Sequence, residues 1–273
     1  MMVLKDETFK NLRDFIYDTT GIYIPDTKKY FIENRLSKRL EEKKIGSYED
    51  YFYLLRYNAD KNELKILYDK ITTNETFFFR ETKQLEVLVE HVLPKMKEDK
   101  RAQTMKIWSA ACSTGEEPYT IAMMLLENPK TSSIRFEVHA SDLSDVVIER
   151  ALKAEYAQYA IRNIPEAYMK KYFKQSTASN YQLNNEVRTK VKFVQLNLLD
   201  DKKMRGFRDM DVILCRNVLI YFDKKAKIKV ISNLYESLRA GGYLFIGMAE
   251  SLHDVTRVFR PNVIDKTVVY QKV

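Results

Sequence analysis

Several charged and polar residues stand directly after predicted strands, where an open parallel sheet binds its ligands. The strand predicted at Lys106–Ala110 is followed by a turn of small residues, and the next helix opens with Glu116 and Glu117. The turn has a single glycine, Gly115, and therefore lacks the spacing of a dinucleotide-binding turn. Two carboxylates at a helix N-terminus would repel a pyrophosphate. The pattern disfavours NAD, FAD and ATP and favours a cofactor with a cationic end.

The acid after the second predicted strand indicates a ribose site. Asp142 follows the strand predicted at Phe136–Ala140 and could accept both hydroxyls of a ribose. A purely structural role, as the N-cap of the following helix, is the alternative. Two further strands end in Asn197–Leu198 and Arg216–Asn217. A ribose and an adenine without a phosphate site would fit S-adenosylmethionine.

The elements that must position these residues alternate between strand and helix after residue 100. Such alternation predicts an α/β fold with a doubly wound, mostly parallel sheet. The strands predicted in addition to the two above are Val191–Leu196, Asp211–Cys215, Tyr243–Met248 and Val268–Lys272. A polar stretch between Tyr156 and Lys190 interrupts the pattern and predicts a small inserted β-subdomain. Residues up to about 70 have helical spacing and predict a small all-α prefix.

One helix of that prefix is basic. Arg35, Lys38 and Arg39 lie three and four positions apart, so they are expected to share one exposed face. A solvated helix face without a partner is the alternative interpretation. The whole chain has a formal net charge of +8, which favours anionic partners such as nucleic acid, anionic lipid or an acidic protein surface.

Composition excludes several other classes of protein. The 273 residues leave room for about two domains, and no apolar run approaches the roughly 20 residues that span a bilayer. Two cysteines cannot form a disulfide framework, and the charged N-terminus is unlike a signal peptide, so a cytoplasmic protein without membrane insertion is expected. His91, His139 and His253 are scattered, and no metal site is expected.

Four blocks in order make the resemblance to a known family specific. The chain resembles the CheR-type protein-glutamate O-methyltransferases of chemotaxis. The blocks are Thr72–Glu81, Trp108–Tyr119, Cys215–Phe222 and Gly241–Ser251, the last ending in Ala-Glu-Ser. The resemblance implies a Rossmann-like methyltransferase domain at 101–273 with a β-subdomain at about 157–192. It also implies a helical receptor-docking domain at 1–71 and a cofactor-covering linker at 72–100.

The resemblance also implies roles for individual residues. The cofactor would be S-adenosylmethionine, with S-adenosylhomocysteine as the product and without a metal. Its binding residues would be Asn74, Thr76, Arg80, Glu117, Asp142, Asn197, Leu198, Arg216 and Asn217. Arg80 and Tyr221 would position the reactants. A substrate glutamate has a reference pKa of about 4.3 and is already ionised at neutral pH, so no strong general base is required.

The partner that the resemblance implies is the cytoplasmic helical bundle of a methyl-accepting chemotaxis receptor. Arg35, Lys38 and Arg39 would dock against its acidic surface. Some family members also bind a receptor C-terminal peptide through a glycine-containing loop, but Ser176–Lys192 has no glycine, so direct binding alone is expected. A monomer that does not bind nucleic acid is expected. The alternatives are an RNA or small-molecule methyltransferase and a signalling module that has lost turnover.

Overall fold

The N-terminal part of the protein is a compact group of helices. The computed structural model describes residues 2–58, 61–99 and 104–273. The helices are α1 (Asp6–Thr20), α2 (Lys29–Lys43), α3 (Tyr48–Tyr53), continued by a π-helical turn (Leu54–Asn58), and α4 (Lys61–Ile71). Apolar residues at helical spacing, such as Leu12, Ile16, Ile32 and Leu36, are fully buried between them. The predicted all-α prefix is therefore confirmed.

A buried ion pair joins two of these helices and corrects one prediction. Arg39 on α2 makes two hydrogen bonds to Glu63 on α4, at 3.0 and 2.6 Å, and its side chain is only 14% exposed. Lys43 and the Tyr51 hydroxyl also contact the Glu63 carboxylate, at 3.0 and 2.9 Å. The expectation that Arg39 shares an exposed face with Lys38 is wrong, because α4 packs against that side of α2.

Two helices lead from the prefix into the sheet. After an extended stretch that begins at Thr72, the chain forms α5 (Thr82–Val87), a π-helical turn (Leu88–Val92) and α6 (Leu93–Asp99). Leu85, Leu88 and Val92 are buried against the sheet. The predicted boundary between residues 100 and 101 lies outside the described residues.

A seven-stranded sheet forms the second part of the protein. Its strands are β1 (Met105–Ala110), β2 (Phe136–Asp142), β6 (Val191–Gln195), β7 (Met210–Cys215), β8 (Leu238–Ile246), β9 (Phe259–Ile264) and β10 (Thr267–Lys272). The spatial order is β6-β2-β1-β7-β8-β10-β9. The first five are parallel, whereas β10 is antiparallel to both neighbours. The predicted doubly wound, mostly parallel sheet is confirmed, although the sequence reading missed β9.

Helices cover both faces of the sheet. The main ones are α7 (Glu116–Glu127), α8 (Asp145–Lys153) and α13 (Lys224–Ser237), with shorter helices α9 (Gln158–Ile161), α10 (Glu166–Tyr172), α11 (Asn185–Arg188) and α12 (Asp201–Met204). Successive residues of one strand enter different cores: Ile107 packs in the core that contains α7, and Trp108 in the core that contains α13. Because both faces of the sheet are covered at its centre, every residue of β7 and all but one residue of β1 are buried.

A small antiparallel sheet is inserted between α8 and β6. Its strands are β3 (Glu155–Ala157), β4 (Phe173–Gln175) and β5 (Asn180–Leu183), in the order β3-β5-β4. The turn between β4 and β5 contains the Ala178–Asn180 segment. Phe78 packs edge-on against Tyr156 and Phe173, so this subdomain contacts the extended stretch that precedes α5. Within the described residues, no helix is long and apolar enough to cross a membrane.

The end of α1 contacts the sheet domain closely. The Tyr23 amide donates to the Tyr221 carbonyl at 2.9 Å, and the Tyr17 hydroxyl donates to the Asp223 carboxylate at 3.1 Å. Gly21 has a φ of +75°, and a Cβ at this position would lie 2.6 Å from Leu199. Any larger residue would therefore have a strained backbone, and the Leu199 side chain would have to move to make room for it.

The correction at Arg39 leads to a stability prediction. Arg39→Ala removes two hydrogen bonds from the buried Glu63, so the free energy of unfolding should fall by about 2–3 kcal/mol. Lys38→Ala, a matched change on the exposed side of the same helix, should alter it by less than about 0.5 kcal/mol. Urea unfolding followed by circular dichroism measures both. Equal effects of the two changes would contradict the assignment of Arg39 to the fold.

Candidate functional site

One cavity lies where the carboxyl ends of the strands meet the helical domain and the extended stretch before α5. Its volume is about 240 Å³, which suits an organic ligand rather than a few ordered waters. All ten residues predicted to bind or orient a cofactor line it: Asn74, Thr76, Arg80, Glu117, Asp142, Asn197, Leu198, Arg216, Asn217 and Tyr221. Residues that are up to about 150 positions apart are thus brought together, as the strand-end argument requires.

The Asp142 carboxylate is held by backbone amides at the end of β2. Its Oδ2 accepts from the Ser113 amide at 2.8 Å, and its Oδ1 accepts from the Ser144 amide at 3.1 Å. The N-cap of α8 is Ser144, whose hydroxyl accepts from the Val147 amide. Asp142 is therefore not the N-cap, and its carboxylate lies in the cavity wall. Burial raises its pKa above the usual range, although the amides of Ser144 and Ser113 oppose this shift.

Arg216 is the most heavily bonded side chain of the site. The side chain is 2% exposed, and its guanidinium donates to Gln84 Oε1 at 2.6 Å, Glu117 Oε2 at 2.7 Å and Glu81 Oε2 at 3.0 Å. It also donates to the Arg80 carbonyl at 2.8 Å. The guanidinium therefore joins the end of β7 to α7 and to the segment before α5. Arg216 lines the cavity, but most of its donors are bonded to protein groups.

Glu117 is fixed from two sides at the start of α7. Its Oε1 accepts from the Ser109 hydroxyl at 2.6 Å, and its Oε2 accepts from Arg216. The oxygens of a carboxylate can each accept a second hydrogen bond, so this group can still receive a cation or donor from the cavity. The nearby Glu81 is also paired with Arg216. Burial alone would raise the pKa of Glu81, but the charge of Arg216 and the Asn217 amide lower it below its usual range.

The loop after β7 is held by a second carboxylate. Glu250 accepts from the backbone amides of Asn217 at 3.0 Å, Ile220 at 3.2 Å and Gly247 at 2.7 Å. Asn217 has a φ of +58°, and its side chain donates to Glu81 at 3.2 Å. This loop carries Tyr221, which lines the cavity. The position of Tyr221 therefore depends on Glu250.

The extended stretch before α5 closes another side of the cavity. The Asn74 carbonyl accepts from the Ser113 hydroxyl at 3.0 Å, and the Asn74 amide donates to Thr72 Oγ1 at 3.1 Å. Arg80 donates to the Glu75 carbonyl at 2.9 Å. Thr76 lines the cavity between them and is partly buried. The stretch is thus bonded to the turn after β1.

Asn197 and Leu198 stand after β6. The Asn197 amide donates to the Thr19 carbonyl at 2.7 Å, and its Oδ1 accepts from the Leu199 amide at 2.9 Å. Its side-chain amide therefore joins the two domains, which the sequence reading did not foresee. Leu198 is buried and contributes an apolar wall that suits a flat aromatic ring.

Four residues that orient the site were not predicted from the sequence: Ser109, Glu81, Gln84 and Glu250. Gln84 is buried, donates to the Ile246 carbonyl at 2.7 Å and accepts from Arg216. Three of the four lie inside the sequence blocks that carry the family resemblance. The blocks therefore included these residues but did not show which contacts they make. Gln84 lies beyond the first block. The only feature of the sequence that could have identified it is that it is a polar residue on an otherwise apolar helix face.

Two of the three predicted docking residues remain accessible. Lys38 is exposed. Arg35 lies 5.2 Å from the ring centre of Phe31, which lines the cavity, and donates to Thr73 at 3.3 Å. Arg35 is therefore close to the cavity mouth, whereas Arg39 is bonded to Glu63. Among the described residues, no group of three or more potential metal ligands lies together.

A buried acid lies directly beside the site. Glu116 is 3% exposed and accepts from the Thr114 hydroxyl at 2.8 Å. Burial raises the pKa of Glu116 to about 7, although the Thr114 hydroxyl opposes this shift. In the unfolded chain the carboxyl ionises near 4.5, so between these values the folded state holds the proton that the unfolded state has lost. Stability is therefore greatest below about pH 4.5 with respect to this group and decreases as pH rises through 7.

We expect Glu116→Gln to remove that pH dependence. Its free energy of unfolding should exceed that of the wild type by about 1–3 kcal/mol at pH 8, where the wild type must ionise a buried carboxyl. At pH 5 the two proteins should differ much less. Urea unfolding at the two pH values measures the difference, and a constant offset would contradict the assignment. Glu149→Gln, a change of the same kind at an exposed position of α8, is the control.

Family models and curated proteins match the chain along most of its length. Residues 7–72 match the family model described as CheR methyltransferase, all-alpha domain, and residues 74–268 match CheR methyltransferase, SAM binding domain. The chain is 37% identical to chemotaxis protein methyltransferase 2 of Vibrio cholerae, over 99% of this chain and 94% of that protein. It is 36% identical to the chemotaxis protein methyltransferase of Borreliella burgdorferi, over 92% and 89% of the two chains. A solved magnesium protoporphyrin IX methyltransferase from Synechocystis with bound SAM covers 99% of both chains at 12% identity, with a TM-score of only 0.37.

Proposed function

Because the chain belongs to the CheR methyltransferase family and is an S-adenosylmethionine-dependent methyltransferase of chemotaxis, we propose that it methylates glutamate side chains of methyl-accepting chemotaxis receptors. The products would be glutamate methyl esters and S-adenosylhomocysteine. We propose that it acts in the cytoplasm as a monomer, without a metal. The observation that carries this proposal is the single cavity that all ten predicted residues line.

The charges around the cavity fit S-adenosylmethionine. Glu117 presents a carboxylate that suits the ammonium group, and Arg80 suits the carboxylate at the same end of the cofactor. Asp142, with both oxygens held by backbone amides, suits the ribose hydroxyls, and Leu198 suits the adenine. When bound, the cofactor supplies an electrophilic methyl group on a sulfonium. We propose that Arg216, whose guanidinium donates to Glu117 Oε2 at 2.7 Å, keeps this carboxylate oriented.

The chain's own residues would act by position rather than by proton transfer. A substrate glutamate is already ionised at neutral pH, so it needs no base. We propose that Arg80 and Tyr221 orient the two reactants and exclude water, which is how a displacement between bound groups gains most of its rate. The contacts of Glu250 with the loop that carries Tyr221 support this role.

We propose that the receptor docks on α2. Lys38 and Arg35 would attract the acidic receptor surface and increase the association rate. Arg39 would contribute to receptor docking only indirectly, because its two hydrogen bonds to Glu63 hold α2 against α4. The turn between β4 and β5 has no glycine, so we propose that it does not bind a receptor C-terminal peptide.

A methyltransferase acting on RNA or a small molecule is the alternative function, and the basic net charge is compatible with an RNA substrate. The all-α domain favours a receptor, because its residues line the cavity and are matched by the all-alpha model of this family. Nucleic acid is therefore not proposed as a partner.

The proposal is tested by transferring labelled methyl from S-adenosylmethionine to membranes that contain chemoreceptors. Mild base should release the label as methanol, because glutamate methyl esters hydrolyse under these conditions and N-methylated bases do not. Membranes without receptors are the control. Label that resists base would point to a different acceptor, and cofactor binding without transfer would refute the receptor substrate.

Variants at the cavity should separate orientation from binding. Arg80→Ala and Tyr221→Phe should each lower kcat at least about tenfold at saturating cofactor. Tyr221→Phe should leave the cofactor Kd within about twofold, whereas Arg80→Ala should also weaken it because of the lost charge. Isothermal titration gives the Kd, and steady-state methyl transfer gives kcat. Full turnover by both variants would refute these roles; Tyr235→Phe, outside the cavity, is the matched control.

A further inference from the structure

A guanidinium of the inserted subdomain contacts two aromatic rings, one of which belongs to the cavity wall. The Arg162 Cζ lies 3.7 Å from the ring centre of Phe77 and 3.7 Å from that of Tyr159. Both distances are well inside the ~6 Å within which a cation is attracted by the face of an aromatic ring. Phe77 lines the cavity, whereas Tyr159 lies on α9, and Arg162 directly follows that helix. The contact therefore joins the inserted subdomain to the stretch before α5.

Three hydrogen bonds accompany this contact. The Tyr159 hydroxyl donates to Glu75 Oε1 at 2.9 Å, and the Phe78 amide donates to the Ala160 carbonyl at 2.9 Å. The Arg162 guanidinium also donates to the Tyr159 carbonyl, which fixes it relative to the end of α9. Three residues of the stretch before α5 therefore each contact α9 or the residue that follows it.

The same two cavity-lining residues also contact the side chain of Arg80. The Arg80 Nη1 donates to the Glu75 carbonyl at 2.9 Å, and the Arg80 Cζ lies 5.8 Å from the ring centre of Phe77. A shift of either residue would move the Arg80 guanidinium within the cavity that all three line. The contacts of α9 therefore lie one step away from the group that is proposed to orient the reactants.

We propose that Arg162 and Tyr159 are positioning residues for methyl transfer, which act by holding Phe77 and Glu75 and thereby fix the direction of the Arg80 side chain. Neither of the two lines the cavity, so they would act through Arg80 rather than by touching the cofactor or the substrate. This inference rests on the proposed role of Arg80 in the reaction. It gives the inserted subdomain a part in methyl transfer.

Amide hydrogen exchange of the full chain tests whether α9 holds the stretch. Arg162→Ala should make the amides of residues 75–80 exchange at least about threefold faster, because local opening becomes easier when these contacts are lost. The amides of β1 should exchange at the wild-type rate. Arg208→Ala, at an exposed arginine that donates to Glu236 on α13, is the matched control. Unchanged exchange in residues 75–80 would overturn the inference.

Steady-state methyl transfer tests the effect on the reaction. Arg162→Ala should lower kcat about fivefold, because a misdirected orienting group loses part of its rate advantage. Tyr159→Phe should lower kcat only about twofold, since the ring against Arg162 is kept and only the bond to Glu75 is lost. Arg162→Lys keeps a cation near the rings and should restore kcat to within about twofold of the wild type. The cofactor Kd should stay within about twofold in all three variants, because the charge of Arg80 remains in the cavity.

A double-mutant cycle distinguishes positioning of Arg80 from a merely structural role. In an Arg80→Ala background, Arg162→Ala should lower kcat further by less than about 1.5-fold, because the side chain that it positions is already gone. If the two effects multiply instead, Arg162 does not act through Arg80, and the inference is overturned.

The remaining outcomes separate failure of this inference from failure of the proposed function. If Arg80→Ala lowers kcat and Arg162→Ala does not, the inference is wrong and the role of Arg80 stands. If Arg80→Ala keeps full turnover, the proposed role of Arg80 is wrong, and the inference falls with it. If the wild-type protein transfers no methyl to receptors, the receptor substrate is wrong, whereas the exchange rates still decide whether α9 holds the stretch.

Discussion

The structure of the site depends on the burial of one positive charge. Arg216 has almost no contact with solvent, so its guanidinium must be paired inside the protein. Its partners Glu81, Gln84 and Glu117 come from three positions that the fold brings to the end of β7. Removing any one of them would leave a buried charge poorly compensated. The pairing therefore determines how the segment before α5, the start of α7 and the sheet are placed relative to one another.

A second constraint is the close contact between the helical domain and the sheet domain. The cavity exists only where α1 and the start of α2 meet the sheet, because Thr20, Tyr23 and Lys28 form part of its wall. The approach is set by Gly21, which has no side chain to collide with Leu199, and by the bond from Asn197 to the Thr19 carbonyl. A protein with the sheet domain alone would have an open groove in place of this cavity. The helical domain is therefore a structural part of the binding site.

Local patterns in the sequence predicted the sheet and the strand ends, and these carry the cavity residues. They did not predict the partners of Arg216, because Gln84 lies 132 residues away and no local pattern connects the two. The exposure of Arg39 was predicted wrongly for a related reason. Helical spacing shows that residues share a face, but only the packing of α4 shows that Glu63 covers it. The strand β9 was missed because its burial alternates only weakly and it lies at the sheet edge.

Several residues around the same site have a strained backbone. Ala111, Ser113 and Asn217 have φ values of +64°, +49° and +58°, in the left-handed region that non-glycine residues rarely adopt. Two of these residues donate a backbone hydrogen bond to a carboxylate of the site. The Ser113 amide donates to Asp142, and the Asn217 amide donates to Glu250. Such conformations persist only where surrounding contacts compensate their energy. The contacts that hold the strain also hold the carboxylates in place, so the cavity walls are already ordered before a ligand enters. Binding then requires little ordering of the protein, which preserves affinity for a ligand of matching shape and charge.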